Sequence, residues 1–367
     1  MNVVINGRSI VRKQQTGIGR STYQLLAALG RHDSPDRYIC YAPLRLIGRK
    51  TNKPAFGTAR VDVVADYFGL GLSVAGRRDV YHAPSIEDVS RIKGPIVVTV
   101  HDVIHKALPQ THTAQTRDLC DVNMKSVAAH ARMIVCSSEH TRQDVVRFYN
   151  VDPARTRVVH LGVDETVFVP YDDERKRELR GTLAQRGLKR SFVLFVGTIE
   201  PRKNLSGLLK AFSLMKARGT APEQLVIVGG EGWLSDGIES EIAALGLRDD
   251  VLRWGRATDQ DLCSLYNLAT VYAYPSLYEG FGLPILEAFS CRVPVVTSLT
   301  TSCGEIAGTA ALTVDPADVE ALAAALSRCV TDPALCATLV EKGTQRLRGF
   351  SFENMARSMA QIYREVV

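Results

Sequence analysis

Short runs rich in β-branched and aromatic residues alternate with longer amphipathic segments along almost the whole chain, and they do so in two successive series. Parallel strands need a connection of about a dozen residues or more between them, usually a helix, so this rhythm predicts parallel sheets with crossover helices. In the first half the strand candidates are Asn2 to Asn6, Tyr38 to Tyr41, Val61 to Ala65, Val80 to His82, Ile96 to Val100, Met133 to Cys136 and Arg157 to His160. The second half starts afresh with Phe192 to Val196, Leu225 to Val228, Val251 to Trp254, Val271 to Tyr274, Val295 to Thr297 and Ala311 to Val314, with amphipathic segments such as Asn204 to Ala217 and Asp318 to Val330 between. The fold class expected is α/β, as two Rossmann-like, doubly wound domains facing a central cleft, where open sheets of this kind bind ligands. Length agrees, since 367 residues exceed one ordinary core and suit two domains of about 150 to 200 residues each. The polar stretch Pro170 to Arg190 reads as a surface helix after a linker, which puts the seam at 170/171.

With 46% apolar and 23% charged residues, collagen-like, coiled-coil and wholly disordered readings are excluded. Runs such as Pro95 to Val100 or Val293 to Thr297 fall far short of the roughly 18 to 20 apolar residues of a membrane span. The opening, Met1 to Ile10, reads as a strand rather than an export signal, so a cytoplasmic location is expected. The eight cysteines include no CxxC pair and imply neither zinc nor a disulfide framework. Charge is uneven: residues 1–170 hold 23 Lys+Arg against 15 Asp+Glu, so +8, and the remainder 22 against 24, so −2. That balance would suit nucleic acid, an anionic membrane surface or a phosphorylated substrate. The one basic cluster, Arg45 to Lys53, is more simply a solvated loop.

Two segments carry chemistry. In Tyr274-Pro-Ser-Leu-Tyr-Glu279-Gly-Phe-Gly-Leu-Pro-Ile-Leu-Glu287 a strand gives way to a glycine-bearing loop, and Pro284 suits the start of a helix. The amides of residues 283–286 at that helix end would form an anion site suited to phosphate. Glu279 and Glu287 flank it, and a carboxylate suits a vicinal diol because it accepts from two hydroxyls at once. Capping or plain solvation is the alternative for both. The second segment, Gly197-Thr-Ile-Glu-Pro-Arg202-Lys203-Asn204, places two cations before a helix, where they oppose its dipole unless an anion joins them. Together the segments imply a diphosphate with hydroxylated groups at both ends, a nucleotide sugar.

These residues resemble the retaining glycosyltransferases of family 4. EGFGLPILE is similar to that family's E-x7-E signature and GTIEPRKNL to its diphosphate-binding turn. Thr16-Gly17-Ile18-Gly19-Arg20, Thr99-Val-His101-Asp102, Cys136-Ser-Ser-Glu139, Leu161-Gly-Val-Asp164, Val228-Gly-Gly-Glu-Gly-Trp233 and Trp254-Gly255-Arg256 follow in the family's order. The resemblance implies the glycosyltransferase-B architecture: residues 1–170 binding the acceptor, 171–349 binding the donor, and a helix in 350–367 crossing back to the first domain. It further implies that Arg202 and Lys203 neutralise the donor diphosphate, Glu287 binds the ribose and Glu279 the transferred sugar. The Phe281, Gly282 and Leu283 backbone would cover phosphate and sugar, Gly17 and Gly19 would approach the diphosphate, His101 would lie beside the reacting centre, and Gly255 with Arg256 near the base. Many members carry arginine where this chain has Thr198, so Arg202 is expected to supply the missing charge.

No metal is expected. Asp259-Gln260-Asp261 is formally a DxD but opens a helix, where Asp is favoured by capping. His101 and His105 leave a strand rather than sharing a helix face. The sub-pattern GTIEPRKN with GxxGW resembles bacterial mannosyltransferases that use GDP-mannose in surface polysaccharide assembly, with UDP-glucose, UDP-N-acetylglucosamine and dTDP-rhamnose as open alternatives. The partners implied are the donor and a glycan or lipid-linked acceptor, with peripheral contact at an anionic inner-membrane surface as an option and no nucleic acid. A nucleotide-sugar epimerase of similar architecture and a nucleic-acid-binding protein are the rival readings, and neither uses both glutamates and the Arg-Lys turn.

Overall fold

The computed structural model describes residues 1–11, 17–43, 54–66, 71–232 and 237–367. Arg45 to Lys53, Thr16 and Trp233 lie outside the described residues. The chain divides into two compact units, one of Met1–Gly162 with Phe350–Val367, the other of Val163–Gly349.

Seven strands build the first unit: β1 (Asn2–Asn6), β2 (Arg37–Ala42), β3 (Val61–Ala65), β4 (Val80–Ala83), β5 (Ile96–Val100), β6 (Met133–Cys136) and β7 (Thr156–Val158). All pair in parallel in the order β3-β2-β1-β4-β5-β6-β7. The second unit holds β8 (Phe192–Val196), β9 (Gln224–Val228), β10 (Val251–Gly255), β11 (Val271–Tyr274), β12 (Val295–Ser298) and β13 (Leu312–Val314), also parallel, in the order β10-β9-β8-β11-β12-β13. Both are doubly wound α/β sheets, and each expected strand is present.

The central strands read as unbroken apolar runs because helices cover both faces of a parallel sheet. β8, Phe-Val-Leu-Phe-Val, is buried at all five positions. Its Val193 and Phe195 pack with Leu208, Phe212, Leu322 and Leu326 from the Leu205–Ala217 and Val319–Thr331 helices. The latter starts where Asp318 accepts from the Ala321 amide at 2.9 Å. In the first unit the Phe352–Glu365 helix buries Met355, Met359 and Tyr363, and the Tyr363 hydroxyl meets buried His82 Nδ1 at 2.7 Å. No single helix among the described residues is long and apolar enough to cross a membrane.

Candidate active site

In the second sheet the strand order reverses between β8 and β11, so the crevice at their carboxyl ends is the switch point at which such sheets take ligands. Arg202 and Lys203 leave β8 on the short turn Pro201–Lys203, one residue ahead of the Leu205–Ala217 helix. Glu279 leaves β11 on the loop that leads to the Leu283–Ser290 helix. The two loops are tied reciprocally: the Leu277 amide donates to Arg202 O at 2.7 Å, and Arg202 Nη1 to Tyr278 O at 3.3 Å. Ser302 fixes the second loop by donating to Glu279 O at 2.8 Å.

Within this frame Arg202, Lys203 and Glu279 form one cluster. Glu279 Oε1 accepts from Lys203 Nζ at 2.6 Å and from Arg202 Nη1 at 2.7 Å. Lys203 also bonds the Tyr274 hydroxyl and lies 4.7 Å from the centre of that ring. Arg202 Nη2 reaches Glu200 Oε1 at 2.6 Å, and Glu200 Oε2 is buried without a hydrogen-bond partner. Two cations and two carboxylates thus balance in a largely buried cluster in which each charge is paired.

The two carboxyls are displaced in opposite directions. Burial works to raise Glu279, but the Lys203 and Arg202 charges and their hydrogen bonds outweigh it and hold the group down to about 2. Glu200 is raised, because its burial outweighs the same two cations. Glu279 is therefore the permanent anion and Glu200 the readier proton acceptor.

Glu287 stands apart from this cluster, half-buried on the Leu283–Ser290 helix, with Oε2 accepting from Tyr266 OH at 3.1 Å. Phe281 is buried, Gly282 is the N-cap in the left-handed region at φ 112°, and Leu283 opens the helix. Gly282 is required by that angle. The amides at residues 283–286 are not all free, a correction to the sequence reading: Pro284 has none, and the Ile285 amide donates to Gly282 O at 3.0 Å. Arg256, exposed, follows β10 and lies over Gly230, where a Cβ would stand 2.9 Å from its Nε.

Gly17, Gly19 and His101 belong to the first unit. Gly17 begins the Gly17–Arg31 helix, and a Cβ on it would meet nothing within 4 Å among the described residues, whereas a Cβ on Gly19 would lie 2.5 Å from Ser9 O. Close backbone packing already accounts for Gly19. His101 follows β5, and its Nε2 donates to Pro84 O at 3.0 Å. Burial pushes this imidazole down, so it is neutral, and since Nε2 carries the proton the lone pair is on Nδ1. His105 instead bonds the Tyr149 hydroxyl at 2.6 Å. Asp261 makes a capping box with Thr258 at the start of the Asp259–Leu268 helix.

Glu200, Tyr274 and Tyr266 were missed as partners by sequence reasoning. Glu200 sat inside the quoted GTIEPRKN turn, and its place two residues before Arg202 was the available signal. Tyr274 read only as the end of a strand, and Tyr266 drew no reading.

Comparison with known proteins places this geometry in context. The family described as "Glycosyl transferases group 1" matches residues 183–346, and "Glycosyltransferase Family 4" matches residues 16–167. The O-antigen chain mannosyltransferase B of Escherichia coli is 31% identical over 287 residues, covering 78% of this chain and 74% of that protein. Among solved structures, sucrose-phosphate synthase from Thermosynechococcus elongatus superimposes with a TM-score of 0.77 at 21% identity over 99% of this chain and 98% of that one. HepE of Anabaena, solved with UDP and glucose, gives 0.75 at 18% identity over the whole of both.

Proposed function

Because the chain belongs to glycosyltransferase family 4, and is therefore a glycosyltransferase, we propose that it moves mannose from GDP-mannose to an acceptor hydroxyl of a glycan or glycolipid in surface polysaccharide assembly. The observation that carries this reading is the shared Glu279 oxygen, which holds Arg202 and Lys203 together at the switch point of the second sheet. A donor diphosphate would exchange with that carboxylate for the two cations, leaving Glu279 to accept hydroxyls of the transferred sugar. Glu287, positioned by Tyr266, would take the ribose diol. Phe281, Gly282 and Leu283 would line phosphate and sugar, Gly17 and Gly19 would admit the diphosphate, and Arg256 would lie beside the base.

In this mechanism the configuration is retained by front-face attack. The leaving diphosphate oxygen helps take the acceptor proton, and Arg202 and Lys203 offset its growing charge without a metal. His101, neutral with a lone pair on Nδ1, accepts a sugar hydroxyl near the reacting carbon. A trapped glycosyl-enzyme adduct would sink the front-face reading. Contact with a membrane surface by the basic first unit belongs to this proposal too.

The test is a thermal-shift panel of GDP, UDP, dTDP, ADP and NAD, with chelator present, on wild type and Glu287→Ala. Stabilisation by GDP alone, lost in the variant, is expected. A response to UDP alone would replace GDP-mannose by a UDP-sugar, the second reading, which the full-length likeness to the UDP-bound Anabaena protein favours. An isomerised sugar nucleotide formed without acceptor would mark an epimerase.

A further inference from the structure

The four charges gathered at the ends of β8 and β11 cancel, Arg202 and Lys203 standing against Glu200 and Glu279. Their placement is not symmetrical. Arg202 is the most open of the four, with 22% of its side chain exposed, and Glu200 lies behind it at 2%. An anion arriving from solvent therefore meets Arg202 before it meets Glu200. Glu279 Oε1 holds both cations, whereas Glu200 Oε1 holds Arg202 alone and Glu200 Oε2 is buried without a hydrogen-bond partner. Around Glu200, among the described residues, stand Arg202 and Lys203 from its own turn, Glu279 and the Tyr274 hydroxyl from β11 and its loop, and the backbone of Gly232, where a Cβ would lie 3.5 Å from Glu200 Cβ. Glu231, beside Gly232, is exposed.

The diphosphate of a sugar nucleotide is esterified at both ends and brings two negative charges. Added to a neutral, largely buried cluster, they leave an excess that its own two cations no longer offset, and a buried excess of charge is relieved by taking up a proton. Glu279 is the poorer site for that proton, because two cations hold it ionised. A proton on Glu200 Oε2 breaks no hydrogen bond. We propose that binding of the donor diphosphate is coupled to uptake of one proton from solvent, which forms an O–H bond at Glu200 Oε2 and returns to solvent when the nucleotide departs. The proposal rests on the reading that the diphosphate takes Arg202 and Lys203. Burial already raises the Glu200 carboxyl above its usual 4.5 although two cations stand beside it, and an anion that draws Arg202 away raises it further. Donor affinity is therefore highest below the pKa of Glu200 in the free protein. It falls above that point, by up to about tenfold per pH unit, until the pH passes the higher pKa in the complex.

Calorimetric titration of the full chain with GDP-mannose and, in parallel, UDP-glucose tests it. Run at pH 5, 6 and 7 in pairs of buffers with different ionisation heats, it counts the protons taken up, since a sugar nucleotide has no group of its own that titrates there. The wild-type count is expected to peak at about half a proton or more per donor bound, and the count for Glu200→Gln, which carries a neutral amide in place of the carboxyl, to stay near zero. Wild-type affinity should fall about severalfold across this range while that of Glu200→Gln holds. A purely structural Glu200 would alter affinity or thermal midpoint in the variant and leave the proton count as in wild type. Equal counts in the two proteins would therefore overturn the coupling while leaving the donor reading standing. A wild-type count of zero at every pH would do the same, and it decides the matter even if Glu200→Gln fails to fold. Binding of neither sugar nucleotide would overturn the donor reading and the coupling together.

Discussion

Glu279 is a single carboxylate asked to satisfy two cations, and substitutions around it should separate its partners. Arg202→Ala removes one of two cations from Glu279 and orphans Glu200, whose second oxygen already lacks a partner. Since breaking a buried pair costs about 3–5 kcal/mol, Arg202→Ala should both lower the thermal midpoint and abolish the nucleotide-dependent shift. Near-normal donor affinity in that variant would refute the idea that Arg202 replaces the arginine absent at Thr198. Acid should act on the same cluster. The free carboxyl titrates near 4.5 and the folded one near 2, so its stabilisation is whole above 4.5 and is lost as pH falls toward 2. Glu279→Gln should therefore flatten the fall in midpoint between pH 4.5 and 2.5 relative to wild type, as calorimetry would show. Arg202, Lys203, Glu279 and Glu287 were legible in the sequence because their types and spacing are chemical signals. Glu200 was not, although it stands two residues before Arg202, because the fold of the turn decides whether its carboxylate meets the guanidinium, and the pairing of Glu279 with Lys203, 76 residues away, is likewise set by topology.

The Leu283–Ser290 helix positions Glu287 through a neighbour, the Asp259–Leu268 helix, which supplies the Tyr266 hydroxyl. One turn back on one helix and one turn on along the other, Cys263 and Cys291 touch with sulfurs 3.9 Å apart. Tyr266→Phe keeps this packing and removes one hydrogen bond, worth about 1 kcal/mol. Its expected effect is a several-fold rise in KM for the donor with little change in kcat, read by steady-state kinetics. Equal loss in kcat would mean that Glu287 acts on the transition state. Gly282→Ala should be harsher, since φ 112° costs an alanine about 1–3 kcal/mol and unseats the helix start. Elements such as β8 and β11 were legible because parallel strands are apolar on both faces. The helix at residues 283–290 was placed correctly by Pro284, but its free amides were over-counted, because period and capping residues do not reveal which backbone donors the turn itself consumes.

All eight histidines fall within residues 1–160, so the second unit contains none. Burial drives His82 down to about 3 and lowers His101 and His105 from their usual 6.5. These rings stay neutral when folded and protonate once unfolded, so the first unit loses stability as pH falls below about 6.5. The second unit has no such ring to protonate. At pH 5, calorimetry should resolve two transitions, the first unit melting earlier, and Tyr363→Phe should widen the gap by leaving buried His82 Nδ1 unsatisfied. A single transition at every pH would refute this. Because the first unit takes in Phe350–Val367 while the second is the unbroken segment Val163–Gly349, the order of synthesis inverts the order of completion. As the chain leaves the ribosome, the later-encoded unit is the first with all its residues in hand. The earlier one must wait, with His82 of β4 lacking its Tyr363 partner, until the Phe352–Glu365 helix emerges.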